Sequence, residues 1–242
     1  MSNFSFNEFK KILKYYKKFL KPVFFDEVKK NTENFFIVRH DVEFSIERAF
    51  ELAEIEKKEL KIKSSFFFQI TNNSYNPFSY ENKKIIIGIK KMGHKIGLHF
   101  NYKGENSVVK IKKELSKQSK IFNQEFDNNY SYFSPHRPSK SKFLFKINQK
   151  NLNNTYEKKF FNDFREARKN KNKTIYLADS RHEWKYLHPL DLDLKIYKKV
   201  HLVFHPDAWS KKGYPKKDNY SLLKKEKALE FNKTLLTETD YL

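Results

Sequence analysis

Apolar positions at helical spacing open the chain. Phe9, Ile12, Leu13 and Tyr16 share one face, lysines occupy the other, and Pro22 closes the segment. From there short apolar runs alternate with helical periodicity. The run 35–38 predicts a strand leading into Arg39-His40-Asp41-Val42-Glu43. A helix follows, with Ser45 as N-cap and Ile46, Ala49, Phe50 and Ala53 on one face. Residues 65–70 predict the second strand, and a helix from Ser79 carries Ile85, Ile86 and Ile89 to a stop at Gly93. The third strand is 95–99, followed by a helix marked by Val108, Ile111, Leu115 and Phe122. Residues 130–133, 174–177 and 201–204 read as three more strands, and a last helix covers 219–236. Between 141 and 172 the pattern is poorer: 151–154 and 169–173 read as loops, and one further strand is expected between 150 and 165.

Strands alternating with helices imply an α/β fold with about seven parallel strands. The count allows an open doubly wound sheet or a (β/α) barrel of fewer than eight units. Arg39-His40-Asp41 stands where a dinucleotide fold needs Gly-x-Gly, which argues against a Rossmann reading. No Pro/Gly/Ser-rich linker divides the chain, so 1–242 is expected to form one domain, with 1–30 as a helical extension and 215–242 as a C-terminal helix.

Composition narrows the chemistry. The 242 residues include 25 Phe, 14 Tyr and 5 Gly, an aromatic content that excludes disorder. The net charge of +21 suits an anionic partner, yet the Lys excess travels with abundant Asn, Ile, Phe and Tyr, the joint bias of AT-rich coding. No nucleic-acid-binding signature is present, so no nucleic-acid partner is expected. With no Cys, there is no disulfide, cysteine zinc site or thiol nucleophile. Apolar runs such as 66–68 and 85–87 are far too short to span a bilayer, and the opening residues lack an export signal, so a cytoplasmic location is expected.

Active-site groups in α/β folds gather at the carboxyl ends of strands. Those ends carry Asp41 and Glu43, then His99, then His136 and Arg137, then Asp179, then His205. One histidine at a strand end is commonly structural; several sent to the same rim point to chemistry. A carboxylate with neutral imidazoles suits a divalent metal such as zinc, a further carboxylate can take a proton from water, and another histidine can protonate a leaving group. Hydrolysis of an amide or ester is the natural reading. Asp41 and Glu43, two apart in extended backbone, face the same side.

Arg39-His40-Asp41-Val42-Glu43, Gly93-His94-Lys95-Ile96-Gly97-Leu98-His99, Ser134-Pro135-His136-Arg137-Pro138, Ala178-Asp179-Ser180 and Leu202-Val203-Phe204-His205-Pro206 resemble, in order and spacing, the motifs of the polysaccharide deacetylases (carbohydrate esterase family four). The likeness covers about 35–210. It is closest to a divergent branch with an Arg-His-Asp-Val-Asp signature, met in surface-polysaccharide gene clusters. The resemblance implies a distorted (β/α) barrel, with Asp41 as general base and Glu43 and His99 as metal ligands. It further implies that Arg137 and Asp179 orient the base and frame the pocket, that His205 is the general acid, and that His94 is structural.

Two departures stand out. The family has Asp where this chain has Glu43, a side chain longer by a methylene, and its second histidine ligand falls at Lys103, whose ammonium cannot ligate. His136, from the neighbouring strand, is the expected replacement, with Asn101 the weaker candidate and a substrate contact. Trp184 and Trp209 follow two motifs as pocket-wall or sugar-stacking residues do, although aromatics equally fill cores. His40 is read as packing or hydrogen bonding, and His182, His188 and His201 as surface or core residues.

The implied function is metal-dependent removal of an N-acyl group, N-acetyl above all, from a sugar or glycan precursor, nucleotide-linked or lipid-linked. The alternative is a barrel without its metal that serves as a scaffold in glycan assembly. The oligomeric state is left open.

Overall fold

The computed structural model describes residues 3–141 and 143–239; the outermost residues of the two terminal segments, 1–2 and 240–242, lie outside the described residues. Helix α1 (Phe6–Phe19) starts at Ser5, whose hydroxyl accepts from the Glu8 amide at 3.2 Å. Its inner face buries Phe9, Ile12, Leu13 and Tyr16 completely, each worth ~1.5–3 kcal/mol of hydrophobic stabilisation. The helix ends before Pro22, which joins Lys21 in a two-residue strand, β1, beside the start of β2.

The remaining strands are β2 (Phe35–Val42), β3 (Ser65–Phe68), β4 (Lys95–Phe100), β5 (Tyr132–Pro135), β6 (Asn153–Asn154), β7 (Ile175–Ala178) and β8 (Lys199–Phe204). Helices α2 (Ile46–Glu54), α3 (Tyr80–Lys91), α4 (Val108–Glu125), α5 (Phe164–Lys169) and α6 (Lys216–Glu238) lie between or after them. Every pairing is parallel, in the order β6-β5-β4-β3-β2-β8-β7. Consecutive strands are therefore neighbours all the way round a curled sheet, with the ladder interrupted between β6 and β7. Side chains bridge that interruption: the Tyr156 and Tyr176 hydroxyls lie 3.0 Å apart, and Thr174 Oγ1 donates to the Lys159 carbonyl at 2.7 Å. This is the distorted barrel, and the expected extra strand is β6. Asn153 and Asn154, read as loop from sequence, form it because the segment supplies only two ladder residues, too few for a period-two pattern.

Alternation along the strands sorts the side chains. Phe36, Val38 and Val42 of β2, Phe66 and Phe68 of β3 and Leu202 and Phe204 of β8 pack outward against the helices. Phe35 and Ile37 point inward with Phe67, Tyr130, Tyr132, Phe160 and Phe25, filling the lower barrel. The interior is tight: a Cβ on Gly97 of β4 would lie 2.7 Å from Phe67 Cε1 and 3.0 Å from the Tyr132 carbonyl. Above this apolar layer, the inward positions turn polar.

Outside β2, α2 continues as a π-helical turn (Ile55–Leu60) that buries Glu56. Its carboxylate meets His40 Nε2 at 2.9 Å and accepts from Ser64 Oγ at 2.5 Å, while His40 stacks on Phe66 with centroids 4.1 Å apart. His94, also buried, accepts from the Ser64 amide at 3.1 Å, so His40 and His94 both belong to the structural layer, as expected.

Candidate active site

Arg39 and Asp41 occupy successive inward positions of β2, and Glu43 follows on the same side. Arg39 is fully buried and grips Asp41 through two hydrogen bonds, Nε to Oδ1 at 2.8 Å and Nη2 to Oδ2 at 2.6 Å. Ser134 Oγ of β5 donates to Asp41 Oδ1 at 3.0 Å. Burial works against the carboxylate's charge, but Arg39 and the neighbouring His99 outweigh it and hold Asp41 well below the usual carboxylate range.

One layer higher, Glu43 Oε1 lies 3.4 Å from His99 Nε2 and 3.2 Å from His136 Nε2. Register explains the meeting: His99 pairs with Ser134 in the β4–β5 ladder, and the His136 amide donates to the Phe100 carbonyl at 2.8 Å, extending the ladder. The three ligand atoms lie within 4.8 Å of one another. Ligands ~2.0–2.1 Å from a tetrahedral zinc are about 3.3 Å apart, which the two Glu43 separations match. His99 Nδ1 lies 3.0 Å from the Ser134 carbonyl, so a neutral, metal-binding ring would carry its proton there and present Nε2 to the ion. Burial again opposes the charge of Glu43, yet hydrogen bonds from His136 and His99 keep it well below the ordinary range. The donor set therefore fits a divalent metal.

At the far side of the rim Asp179, fully buried after β7, accepts from the His205 amide at 2.9 Å, from His205 Nδ1 at 2.7 Å and from Trp209 Nε1 at 2.6 Å. This fixes the His205 ring with Nε2 free of any hydrogen bond among the described residues. Burial disfavours its charge, but Asp179, with Glu43 and Asp41 adding their negative fields, pushes the imidazole up to about 10. His205 thus holds a proton across neutral pH. Two residues on, Asp207 is 5% exposed and its Oδ1 has no partner among the described residues. Burial, opposed by His205 and reinforced by Glu43 and Asp179, pushes Asp207 up to about 7.

The structure brings Asp41, Glu43, His99, His136, Asp179 and His205 to one end of the barrel. Asn101 lines a cavity of about 230 Å³ beside Glu43 and His136. Lys103 turns away to Glu114, 3.2 Å distant. Three expectations need correction. Arg137 is exposed and does not touch Asp41; the guanidinium that holds Asp41 is Arg39, which the alternation 39-41-43 along β2 already places on the same face. Trp209 is fully buried and presents its indole N–H to Asp179, so it cannot stack on a sugar. Trp184 packs against Phe204, on the outward face of β8, and lines a separate cleft with α1. Sequence reasoning also missed Ser134, the link between His99 and Asp41, because nothing marks one serine in a strand.

No family model matches this chain, and no curated protein matches it. Among solved structures it is similar to a chitin deacetylase from the fungal pathogen Colletotrichum lindemuthianum, with 10% identity over 86% of each chain and a TM-score of 0.48. It is also similar to a peptidoglycan N-acetylglucosamine deacetylase, with 15% identity over 79% of each chain and a TM-score of 0.41. Likenesses of this size bear on neither the reaction nor its residues; those rest on the geometry above.

Proposed function

We propose that this chain is a metal-dependent hydrolase that removes an N-acyl group, most simply acetyl, from a sugar or glycan precursor of bacterial surface-polysaccharide assembly. The observation that carries the reading is the meeting of Glu43, His99 and His136 at metal-ligand spacing on the rim that also holds the His205–Asp179 pair. Glu43, His99 and His136 would hold the ion, with zinc the best match to a His₂-carboxylate set. A divalent ion there supplies Lewis acidity, lowering the pKa of water and polarising the acyl carbonyl.

The chain's own residues supply the proton transfers. Asp41, kept ionised and fixed in place by Arg39 and Ser134, accepts the proton of the attacking water. Its depressed pKa makes it a weak base, so positioning is its main contribution. His205, protonated at Nε2 and oriented through Nδ1 by Asp179, donates to the departing amine as the C–N bond breaks. Trp209 keeps Asp179 in place. The products are a free amino sugar and a carboxylate. A nucleotide-linked or lipid-linked precursor in the cytoplasm is the proposed setting.

The test is acetate release from an N-acetylated nucleotide sugar, an N-acetylated lipid-linked sugar and a chitooligosaccharide by the zinc-loaded full chain. Release that falls at least 10²-fold in His205→Ala is expected. Stoichiometric zinc with no release from any of the three would overturn the reading.

A further inference from the structure

Arg137 has lost the task its motif suggests, and its new surroundings define another. It follows His136 directly and lines the 230 Å³ cavity that Glu43, His136, Asn101, Gln69 and Thr71 also line. Its backbone has φ 47°, the left-handed region, a strained conformation for a side chain longer than glycine. Strain of this kind persists where the surroundings fix it: Pro138 follows, and the Lys140 amide donates to the Arg137 carbonyl at 3.0 Å. The guanidinium has no carboxylate partner among the described residues.

Besides Glu43, His136 and Arg137, the cavity is lined by Phe44 and by uncharged polar side chains, two of which lack partners among the described residues. Gln69 is 2% exposed, and its side-chain amide makes no hydrogen bond among the described residues. Thr71 Oγ1 is buried with none. Glu43, the cavity's carboxylate, is already committed to His99 and His136. A divalent ion on those ligands leaves the cavity with a net positive charge, to which Arg137 adds a planar fork of donors suited to a carboxylate or a phosphate.

We propose that this cavity is an anion subsite, and that the substrate is an acidic carbohydrate whose carboxylate or phosphate is bound by Arg137 next to the metal ligands. The inference rests on the hydrolase reading for the position of the acyl group, but the subsite can be measured without turnover.

The probes are methyl glucuronide, glucose 6-phosphate and neutral methyl glucoside. Their binding to the full chain is measured by calorimetry in metal-free and zinc-loaded forms, for the unmutated protein, Arg137→Gln and Arg137→Lys. Metal-free protein removes direct anion–metal contact from the measurement. At least tenfold tighter binding of one anion than of the neutral glycoside is expected in both forms. Arg137→Gln should bring that ratio near one, with Arg137→Lys in between, because a point charge replaces the fork. The anion with the higher ratio identifies the source, uronic acid or sugar phosphate. Equal binding of anions and neutral glycoside, or a ratio unchanged in Arg137→Gln, overturns the subsite. If neutral N-acetylated sugars are turned over with no Arg137-dependent anion preference, the subsite falls while the hydrolase reading stands. If the anion preference survives in a chain that binds no metal and releases no acetate, the reverse holds.

Discussion

Replacing Asp41 by Asn separates a proton acceptor from a structural ion pair, because the same carboxylate fills both roles. The side chain of Asp41 is 4% exposed and that of Arg39 1%, and both hydrogen bonds between them lie inside the barrel. Asn offers one carbonyl oxygen to the guanidinium fork and turns an N–H₂ toward the other arm, leaving a buried cation without its counter-charge. Breaking a buried pair from one side costs ~3–5 kcal/mol. For a chain of this size that is a fall in Tm of ~6–20 °C. Urea unfolding followed by tryptophan fluorescence at pH 7 measures it. Because the folded-state pKa of Asp41 is depressed, its stabilisation is present above the unfolded pKa of about 4 and is lost as pH falls through the lower folded value. The gap between the unmutated protein and Asp41→Asn should therefore close only in strong acid. The double variant Arg39→Met, Asp41→Leu should recover most of the loss. It will not recover all, since Thr155 and Tyr156 also lose their Arg39 contacts at 3.1 and 3.2 Å. An Asp41→Asn protein within 1 kcal/mol of the parent, by the scale set for buried pairs, would refute the argument and leave Asp41 a free base.

Three further outcomes are expected. Gly97→Ala, whose new methyl meets Phe67 and the Tyr132 carbonyl, should lose ~1–3 kcal/mol by overpacking, read from thermal unfolding; no change in Tm would show the barrel interior to be looser than described. In chelator-treated protein, Asp207 with its pKa raised to about 7 binds its proton more tightly folded than unfolded, so stability falls as pH rises from about 4 through 7. Asp207→Asn should flatten that slope and raise Tm at pH 8, and an unchanged slope would contradict it. Trp209→Phe removes the 2.6 Å donor to Asp179, so turnover of amides should fall more than that of activated esters, whose leaving groups need less protonation; equal losses on both would place Trp209 in packing alone.

Strand positions and the strand-end groups were legible because period-two and helical patterns encode burial, and burial here tracks the two faces of the sheet. Of the candidate metal-binding group, Glu43 and His99 came from the resemblance to the deacetylase motifs, and strand adjacency supplied His136, which the structure places beside them. What failed was the assignment of long side chains. Arg137 and Arg39 are both one residue from a motif histidine, and only the alternation along β2 shows that the second points into the barrel. Trp209 was ambiguous because an indole that packs in the core and one that stacks on a sugar carry the same local sequence. β6, α5 and the π-turn were missed or blurred because short elements leave no periodic signature, and Asp207 escaped notice because its isolation is a tertiary property.

Metal content tests the central claim most directly. The purified full chain, its His99→Ala and its His136→Ala variants are loaded with zinc, desalted and assayed by inductively coupled plasma mass spectrometry. Since the three ligand atoms share one cluster, the unmutated protein should hold one ion per chain and both variants should lose it together. An unmutated protein that holds no metal, or a His136→Ala protein that stays fully loaded while His99→Ala is empty, would contradict the site.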